Sequence, residues 1–183
     1  MSLTTHRGRL WAYVRANTNP RGGGRYVQVA SRPAAGGAWG NFSLVEMAGY
    51  DARAIREFNV YFFAVNPNPV DAASVLALFP IVTDVAAFVG LAVSCDGLRF
   101  SAPHEFLPTG YAYENRTADQ PVDGILRRGS DVYVYVHEHV PDLTSYRRSH
   151  LDPTDSRVAR HTVKADALAA WTADAKRGLA GCD

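Results

Sequence analysis

The run His137-Glu138-His139 brings three ionisable side chains together in the sequence. If the run lies in a β-strand, the two imidazoles point to one face and the carboxylate to the other, so they do not converge on one ion. The helical H-E-x-x-H pattern that indicates a zinc site is absent, and we expect no metal. Glu138 is better suited to act as a general acid or to accept hydrogen bonds from ligand hydroxyl groups. The acid role requires burial near a second carboxylate, which would raise the pKa of Glu138.

This run ends one of three similar segments of the sequence. The segments start at residues 10, 59 and 131 and read LWAYVRANTNP, NVYFFAVNPNP and DVYVYVHEHVP. Each is an apolar, aromatic and β-branched run that leads into a polar cluster and a proline, which predicts a strand followed by a turn. Superposing Pro20, Pro69 and Pro141 aligns Asn17 and Asn66 with the glutamate of the third segment. A repeated β-unit would therefore direct these side chains to a common site.

Polar residues near these strand ends suit a ligand that is rich in hydroxyl groups. Arginine donates hydrogen bonds in fixed directions, and asparagine both donates and accepts. The alternative is that the Asn-Pro sequences are turn signals only, and that Arg127 and Arg128 are solvated. The predicted ligand contacts are Arg15, Asn17, Arg25, Asn66, Arg127 and His137.

A second, weaker repeat lies in register with the first. The stretches VQVASRPAAGGAWGNFSLVEM and LAVSCDGLRFSAPHEFL each give an alternating strand, a serine, a turn, an aromatic residue and a short apolar edge. In the latter, Asp96 is predicted to be a turn residue, and Gly97 is placed for a positive φ. Beyond the last predicted strand, residues 164–179 predict a helix with Asp166 as N-cap that packs outside the sheets.

Composition and charge restrict the classes of partner. The formal net charge is +1 and lysine-rich runs are absent, so we expect no nucleic-acid partner. The longest apolar stretch, Val75 to Val93, is broken by Pro80 and polar residues, so we expect no membrane span. A disulfide between Cys95 and Cys182 is not favoured, because Cys182 lies at the end of the chain. These features predict a cytoplasmic protein without a cofactor.

The run SCDGLRFSAP at residues 94–103 resembles the S-x-D-G-x-x-[FW]-S-x-P hairpin of five-bladed β-propeller glycoside hydrolases, a superfamily that includes invertase-like and arabinanase-like enzymes. Sialidase-type propellers use a similar turn. The resemblance spans about residues 10 to 163 and is to the C-terminal blades of bacterial members. It implies an all-β fold, a partial β-propeller of about three four-stranded antiparallel blades with a C-terminal helix. Three blades do not close a ring, so the resemblance implies either a truncated relative or a chain that completes the ring with a second copy.

The resemblance also implies that the chain hydrolyses or binds a carbohydrate. Asp123 opens the third unit and would pair with Glu138 as the two carboxylates that glycoside hydrolysis uses, unless Asp123-Gly124 is an ordinary turn. The family works with three carboxylates, of which two belong to early blades that are missing here. The alternative function is therefore a non-catalytic glycan-binding or self-assembling propeller module.

The length of 183 residues is enough for one domain. We expect residues 1–183 to form a single domain with blade-like units at about 8–50, 56–108 and 121–163.

Overall fold

The computed structural model describes residues 1–18, 24–50, 59–60, 62–82, 87–108, 117–141 and 156–182. Pro20, which anchors the first of the three similar segments, lies outside the described residues. All eight predicted site residues lie within them.

The first sheet is antiparallel, and its strands are hydrogen-bonded in chain order. Its strands are β1 (Ser2–His6), β2 (Arg9–Asn17), β3 (Arg25–Pro33) and β4 (Ser43–Leu44). Within β2, Tyr13 is fully buried and lies opposite Val29 of β3, which is also buried. The sequence pattern located β2 and β3 but missed β1, because Ser2–His6 is a polar stretch whose serine, threonine and histidine alternate with exposed residues.

The second sheet holds five strands around the two most apolar segments of the chain. In chain order these strands are β6 (Asn59–Val60), β7 (Ala64–Pro67), β8 (Val75–Val82), β9 (Ala87–Ser94) and β11 (His104–Pro108). Both β6 and β7 pair with β8, and β11 forms the opposite edge. Two short strands, β5 (Glu46–Met47) and β10 (Arg99–Phe100), pair in parallel and link the first sheet to the second.

The third sheet has three antiparallel strands and continues into the helix. It consists of β12 (Thr117–Arg128), β13 (Asp131–Pro141) and β14 (Arg157–Lys164), followed directly by α1 (Ala165–Lys176). The prediction of Asp166 as N-cap was wrong: the cap position is Lys164, without a side-chain hydrogen bond, and the aspartate lies in the first helical turn. There its negative charge is still favourable beside the helix N-terminus.

Two apolar cores separate the three sheets. One core lies between the first and second sheets and is built on aromatic rings, with Phe63 contacting Tyr13, Phe79 and Phe100 at centroid distances of 5.8, 4.9 and 5.1 Å. The other is aliphatic and lies between the second sheet, the third sheet and α1. Its members are Leu76, Leu78, Val89, Leu91, Val93, Val132, Val134, Val136, Ala165 and Leu168. The second sheet is therefore covered on both faces.

Hydrogen bonds between the sheets define two ends of the stack. His6, at the end of β1, donates from Nε2 to the Cys95 carbonyl oxygen at 2.8 Å, and Arg127, near the end of β12, donates to the Pro69 carbonyl oxygen at 3.3 Å. The turns that follow β1, β7, β9 and β12 therefore lie at one end, which we call the hairpin end. The opposite end, where β2, β8 and β13 finish, we call the open end.

The strands β1, β7 and β12 are neighbours along the stack. Each forms an edge of its own sheet, and β7 contacts both of the others. The hydroxyl of Ser2 accepts a hydrogen bond from the Val65 N–H at 3.0 Å, which ties β1 to β7. This is the position of the innermost strand in a propeller blade. The fold class predicted from the sequence, all-β with a partial propeller and a C-terminal helix, is consistent with this arrangement and is confirmed.

The superposition of the three similar segments was wrong for the middle one. The first and third segments form β2 and β13, which are the second strands of their sheets, whereas the middle segment forms β6 and β7 at a sheet edge. Adjacent antiparallel strands run in opposite directions, so an edge strand finishes at the hairpin end when its neighbour finishes at the open end. The weaker repeat compares β3 with β9, which are equivalent third strands.

The S-x-D-G turn attaches the second sheet to the first. The Tyr13 hydroxyl donates to the Gly97 carbonyl oxygen at 2.7 Å, and the Trp11 ring lies against Gly97, which has a φ of +80°. Asp96 accepts hydrogen bonds from the N–H groups of Leu98 and Arg99. Asp96 is thus a turn residue and Gly97 has a positive φ, as the sequence predicted.

A disulfide joins Cys95 to Cys182, which corrects the expectation that the two cysteines would remain unpaired. The sequence argument failed because the chain terminus does not extend away from the fold. The helix packs its Thr172 against Asn68, and Lys176 forms an ion pair with Asp71 at 2.7 Å. These contacts return the C-terminal residues to the hairpin end of the second sheet.

Among the described residues, no helix is long and apolar enough to cross a membrane.

Candidate functional site

The β13 strand carries an irregularity at the open end, next to the acidic residue that the sequence singled out. The β12–β13 register shifts between Ala118 and Gln120, so that Glu138 and His139 together face the single residue Asp119. This is a β-bulge, and it places His139 at a φ of +57°, a left-handed conformation that is uncommon for histidine. The Asp119 carboxylate accepts the His139 N–H at 2.9 Å and holds the bulge in place.

Glu138 lies on the inner face of the third sheet, two residues beyond the buried Val136. Its carboxylate accepts a hydrogen bond from Arg157 Nε at 2.9 Å and another from His161 Nε2 at 3.0 Å. The β13–β14 register places Arg157 directly opposite Glu138 and His161 further along the same face. We call Glu138, Arg157 and His161 the open-end cluster.

The open-end cluster keeps its carboxylate ionised. The hydrogen bond from Arg157 lowers the pKa of Glu138, partial burial opposes this, and the hydrogen bond from His161 adds to the lowering. The Glu138 side chain is only 14% exposed, whereas Arg157 is largely exposed to solvent. The shift is opposite to the raised pKa that a general acid requires.

His137 lies on the other face of β13. Its Nε2 forms a hydrogen bond of 2.7 Å with the Ser156 hydroxyl, at the residue that precedes β14. The bulge separates His137 from His139, which is exposed, so the alternation expected for a regular strand does not continue through this tripeptide. Within the described ranges, no group of three or more His, Cys, Asp and Glu side chains is arranged to hold a metal ion.

A second set of predicted contacts lies at the open end of the first sheet. Asn17 ends β2 opposite Arg25, which begins β3. Arg15 donates from Nε to the Asn17 side-chain oxygen at 3.1 Å, so both of these exposed residues are held in place. Burial and the positive charge of Arg15 both lower the pKa of Arg25. This end of the first sheet is therefore rich in positive charge.

Two of the predicted contacts lie at the opposite end of the stack. Asn66 precedes Pro67 near the end of β7, and its side-chain nitrogen is buried without a hydrogen-bond partner among the residues that the structure describes. Arg127 donates to the carbonyl oxygens of Gly129 and Pro69 at the hairpin end. The structure therefore places Arg15, Asn17, Arg25, His137 and Glu138 at the open end, and Asn66 and Arg127 at the hairpin end.

Asp123 lies between these groups, in the middle of β12. The register shifts between Pro121 and Ile125, and Asp123 is exposed within this irregular stretch, next to a glycine at a φ of +115°. The carboxylate neighbouring Glu138 across the β12–β13 ladder is instead Asp119. The sequence reasoning missed Asp119, Arg157 and His161.

A partial signal for these residues was available in the sequence. If β14 is paired with β13 and side chains alternate between the two faces of the sheet, Arg157 and His161 of RVARHTV fall on the face of Glu138. The bulge that aligns Asp119 with Glu138 has no comparable signal.

Comparison with known proteins adds no relative. No protein-family profile matches the chain, and a search of curated proteins found no match.

Proposed function

We propose that this chain is a propeller-type carbohydrate-binding module that binds its ligand at the open end without hydrolysing it. The observation that carries the proposal is the pairing of Glu138 with Arg157 and His161. An ionised carboxylate flanked by two nitrogen donors can accept hydroxyl hydrogens and donate to hydroxyl oxygens, which is the complementarity that a polyhydroxylated ligand needs.

The depressed pKa of Glu138 argues against its use as the acid of a glycoside hydrolase. Protonation of the leaving group requires a carboxyl group that retains its proton near neutral pH. The ion-paired Glu138 does not have surroundings of that kind.

Hydrolysis remains the second candidate, supported by one observation. Asp119 and Glu138 face each other across the β12–β13 ladder, and an ionised Glu138 would suit the base or nucleophile of a two-carboxylate mechanism. In this alternative a further carboxylic acid would have to donate the proton.

The disulfide bears on where this function would take place. Disulfides persist mainly in oxidising compartments. The bond between Cys95 and Cys182 therefore favours an oxidising compartment over the cytoplasmic location expected from the sequence.

The test is a glycan-binding panel combined with an assay for released reducing sugar. We expect binding without sugar release, and a loss of about tenfold or more in affinity for Glu138→Gln and for Arg157→Ala. The matched control is Arg127→Ala, which removes an arginine at the hairpin end and should leave affinity unchanged. Absence of binding to every glycan would contradict the proposal. Release of sugar that is abolished by Asp119→Asn or Glu138→Gln would favour the hydrolase.

A further inference from the structure

Large apolar side chains that remain exposed are concentrated at the two outer faces of the stack. Five of them, each between 46% and 63% exposed, lie on the first sheet or on the third sheet. These five are Leu3, Trp39 and Phe42 with the first sheet, and Leu126 and Val158 with the third. Large exposed apolar patches are typical of interaction sites.

The outer face of the third sheet is defined by alternation along its strands. Val132, Val134 and Val136 are buried against the second sheet, so Tyr133 and Tyr135 point outward. In the register, Leu126 lies opposite Tyr133, and Val158 lies opposite the outward-facing His137. Arg160 stacks on the Tyr133 ring at 4.7 Å from its centroid. This surface, which we call the third-sheet face, is aromatic and aliphatic and also carries His137 and Arg160.

The outer face of the first sheet is defined in the same way. Ser2, Thr4 and His6 point into the stack, and Leu3 points outward next to Ala12 and, beyond it, Ala30. Arg32 shares this face, and its guanidinium lies 5.5 Å from the centroid of the Trp39 ring. Ala12 and Ala30 are themselves buried, so the exposed apolar area of this surface is carried by Leu3, Trp39 and Phe42. We call it the first-sheet face.

We propose that the first-sheet face of one copy packs against the third-sheet face of a second copy. Continuity with the packing inside the chain supports this partner. The first sheet already packs on the second and the second on the third, each through an apolar core. A third-sheet face that meets a first-sheet face would continue the same succession of layers. Leu3 and Val158 both lie near the open end, because each is the second residue of a strand, β1 or β14, that begins at that end.

A contact between two different faces is heterologous, and such contacts form closed rings when their rotation closes. Two copies would supply six sheets, which is within the four to eight blades of known propellers. The inference rests on the propeller arrangement of the proposed function, and it adds the faces, the partner and the head-to-tail order.

The test uses the full chain and measures its mass in solution by light scattering and sedimentation over a wide range of concentration. We expect the unmodified chain to be dimeric. Leu3→Arg places a positive charge on the first-sheet face and Val158→Asp places a negative charge on the third-sheet face. Each variant alone should be monomeric, because both contacts of the ring contain the altered face. Ala170→Arg, on the exposed side of α1, is the control and should remain dimeric.

The decisive measurement is an equal mixture of the two variants. In a head-to-tail pair, one contact joins the two unaltered faces and the other joins arginine to aspartate, so the mixture should recover dimers with an affinity at least tenfold above either variant alone. Circular dichroism of each variant checks that it is folded.

Three results would overturn the inference. They are a monomeric unmodified chain, association that is sensitive to Val158→Asp but not to Leu3→Arg, and a mixture that fails to associate. The second would indicate a pairing of identical faces. Because glycan affinity is measured separately, loss of association with intact binding would reject this inference alone, and the converse would reject the binding proposal alone.

Discussion

The two ends of this molecule use their polar residues differently. At the hairpin end, the disulfide, the Tyr13–Gly97 hydrogen bond and the Lys176–Asp71 ion pair all join one sheet or the helix to another element. At the open end, the charged residues of the open-end cluster pair within one sheet and leave Arg157 exposed. The difference indicates that the hairpin end maintains the stack, whereas the open end is available for a ligand.

The largest test of this contrast is removal of the disulfide at the hairpin end. Cys182→Ala opens a link between residues 87 positions apart, and we expect it to lower the free energy of unfolding by roughly 4–5 kcal/mol on the chain-entropy estimate. Denaturant unfolding monitored by tryptophan fluorescence measures the change, and reduction of the unmodified chain should reproduce it. A midpoint that does not move on reduction would show that the disulfide contributes nothing to the stack.

A second test at the same end targets the contact of the S-x-D-G turn with the first sheet. In Gly97→Ala the new Cβ would lie 2.9 Å from the Trp11 ring at a φ of +80°, so we expect a loss of about 2–4 kcal/mol. Gly129→Ala is the matched control, because that glycine also has a positive φ, but no atom of the described part of the chain lies within 4 Å of the added carbon. It should cost only about 1 kcal/mol. Equal losses in the two variants would mean that Trp11 does not restrict this turn.

At the open end we expect a smaller loss of stability with a distinct pH dependence. Folding lowers the pKa of Glu138, so its pairing stabilises the fold above the ordinary pKa of 4.5, and this contribution disappears as the pH falls through the lower folded value. Glu138→Gln should therefore cost about 1 kcal/mol at neutral pH, because Arg157 is solvent-screened. The difference from the unmodified chain should shrink as the pH falls below 4.5.

Denaturant midpoints measured across that pH range provide the check. Asp71→Asn at the hairpin end is the comparison variant, because the pKa of Asp71 is also lowered on folding. Burial raises this pKa, but hydrogen bonds from Lys176 and Ser74 outweigh burial and lower it overall. A gap between the unmodified chain and Glu138→Gln that is independent of pH would contradict the ion pair.

The smallest expected effect concerns the bulge. His139→Gly removes an exposed side chain and relieves the left-handed backbone, while the added freedom of the unfolded chain opposes that gain, so stability should change by no more than about 0.5 kcal/mol. Asp119→Ala should cost about 1 kcal/mol, since it removes the acceptor for the His139 N–H. A large loss in the glycine variant would mean that the imidazole itself supports the open end.

Sequence patterns predicted the parts of the fold whose cause is local. Alternation located β2, β3 and β14, and the Asp-Gly pair located the turn after β9, because strand faces and turn conformations depend on adjacent residues. The candidate Glu138 was found in the same way, from its position at the end of an apolar strand. Its partner His161 was not found in this way. The two residues meet only through the pairing register of β13 with β14, and a long connection separates these strands in the sequence.

Two errors had the same physical origin. The superposition of Asn66 on Asn17 assumed that similar strands occupy equivalent places in their sheets, yet β7 is an edge strand and runs the other way from β2. The disulfide was discounted because Cys182 lies at the end of the chain, which was assumed to extend away from the fold. Both depend on how sheets stack, and stacking is set by the whole apolar core and by no single segment.

The closure between Cys95 and Cys182 has a consequence for the integrity of the chain. All of β12, β13, β14 and α1 lie inside the covalent loop that it completes. If a protease cut the backbone once between β13 and β14, the two fragments would still migrate as one species in denaturing gel electrophoresis until a reductant broke the disulfide. The third sheet, which carries Glu138, would thus stay attached to the rest of the molecule even after such a nick.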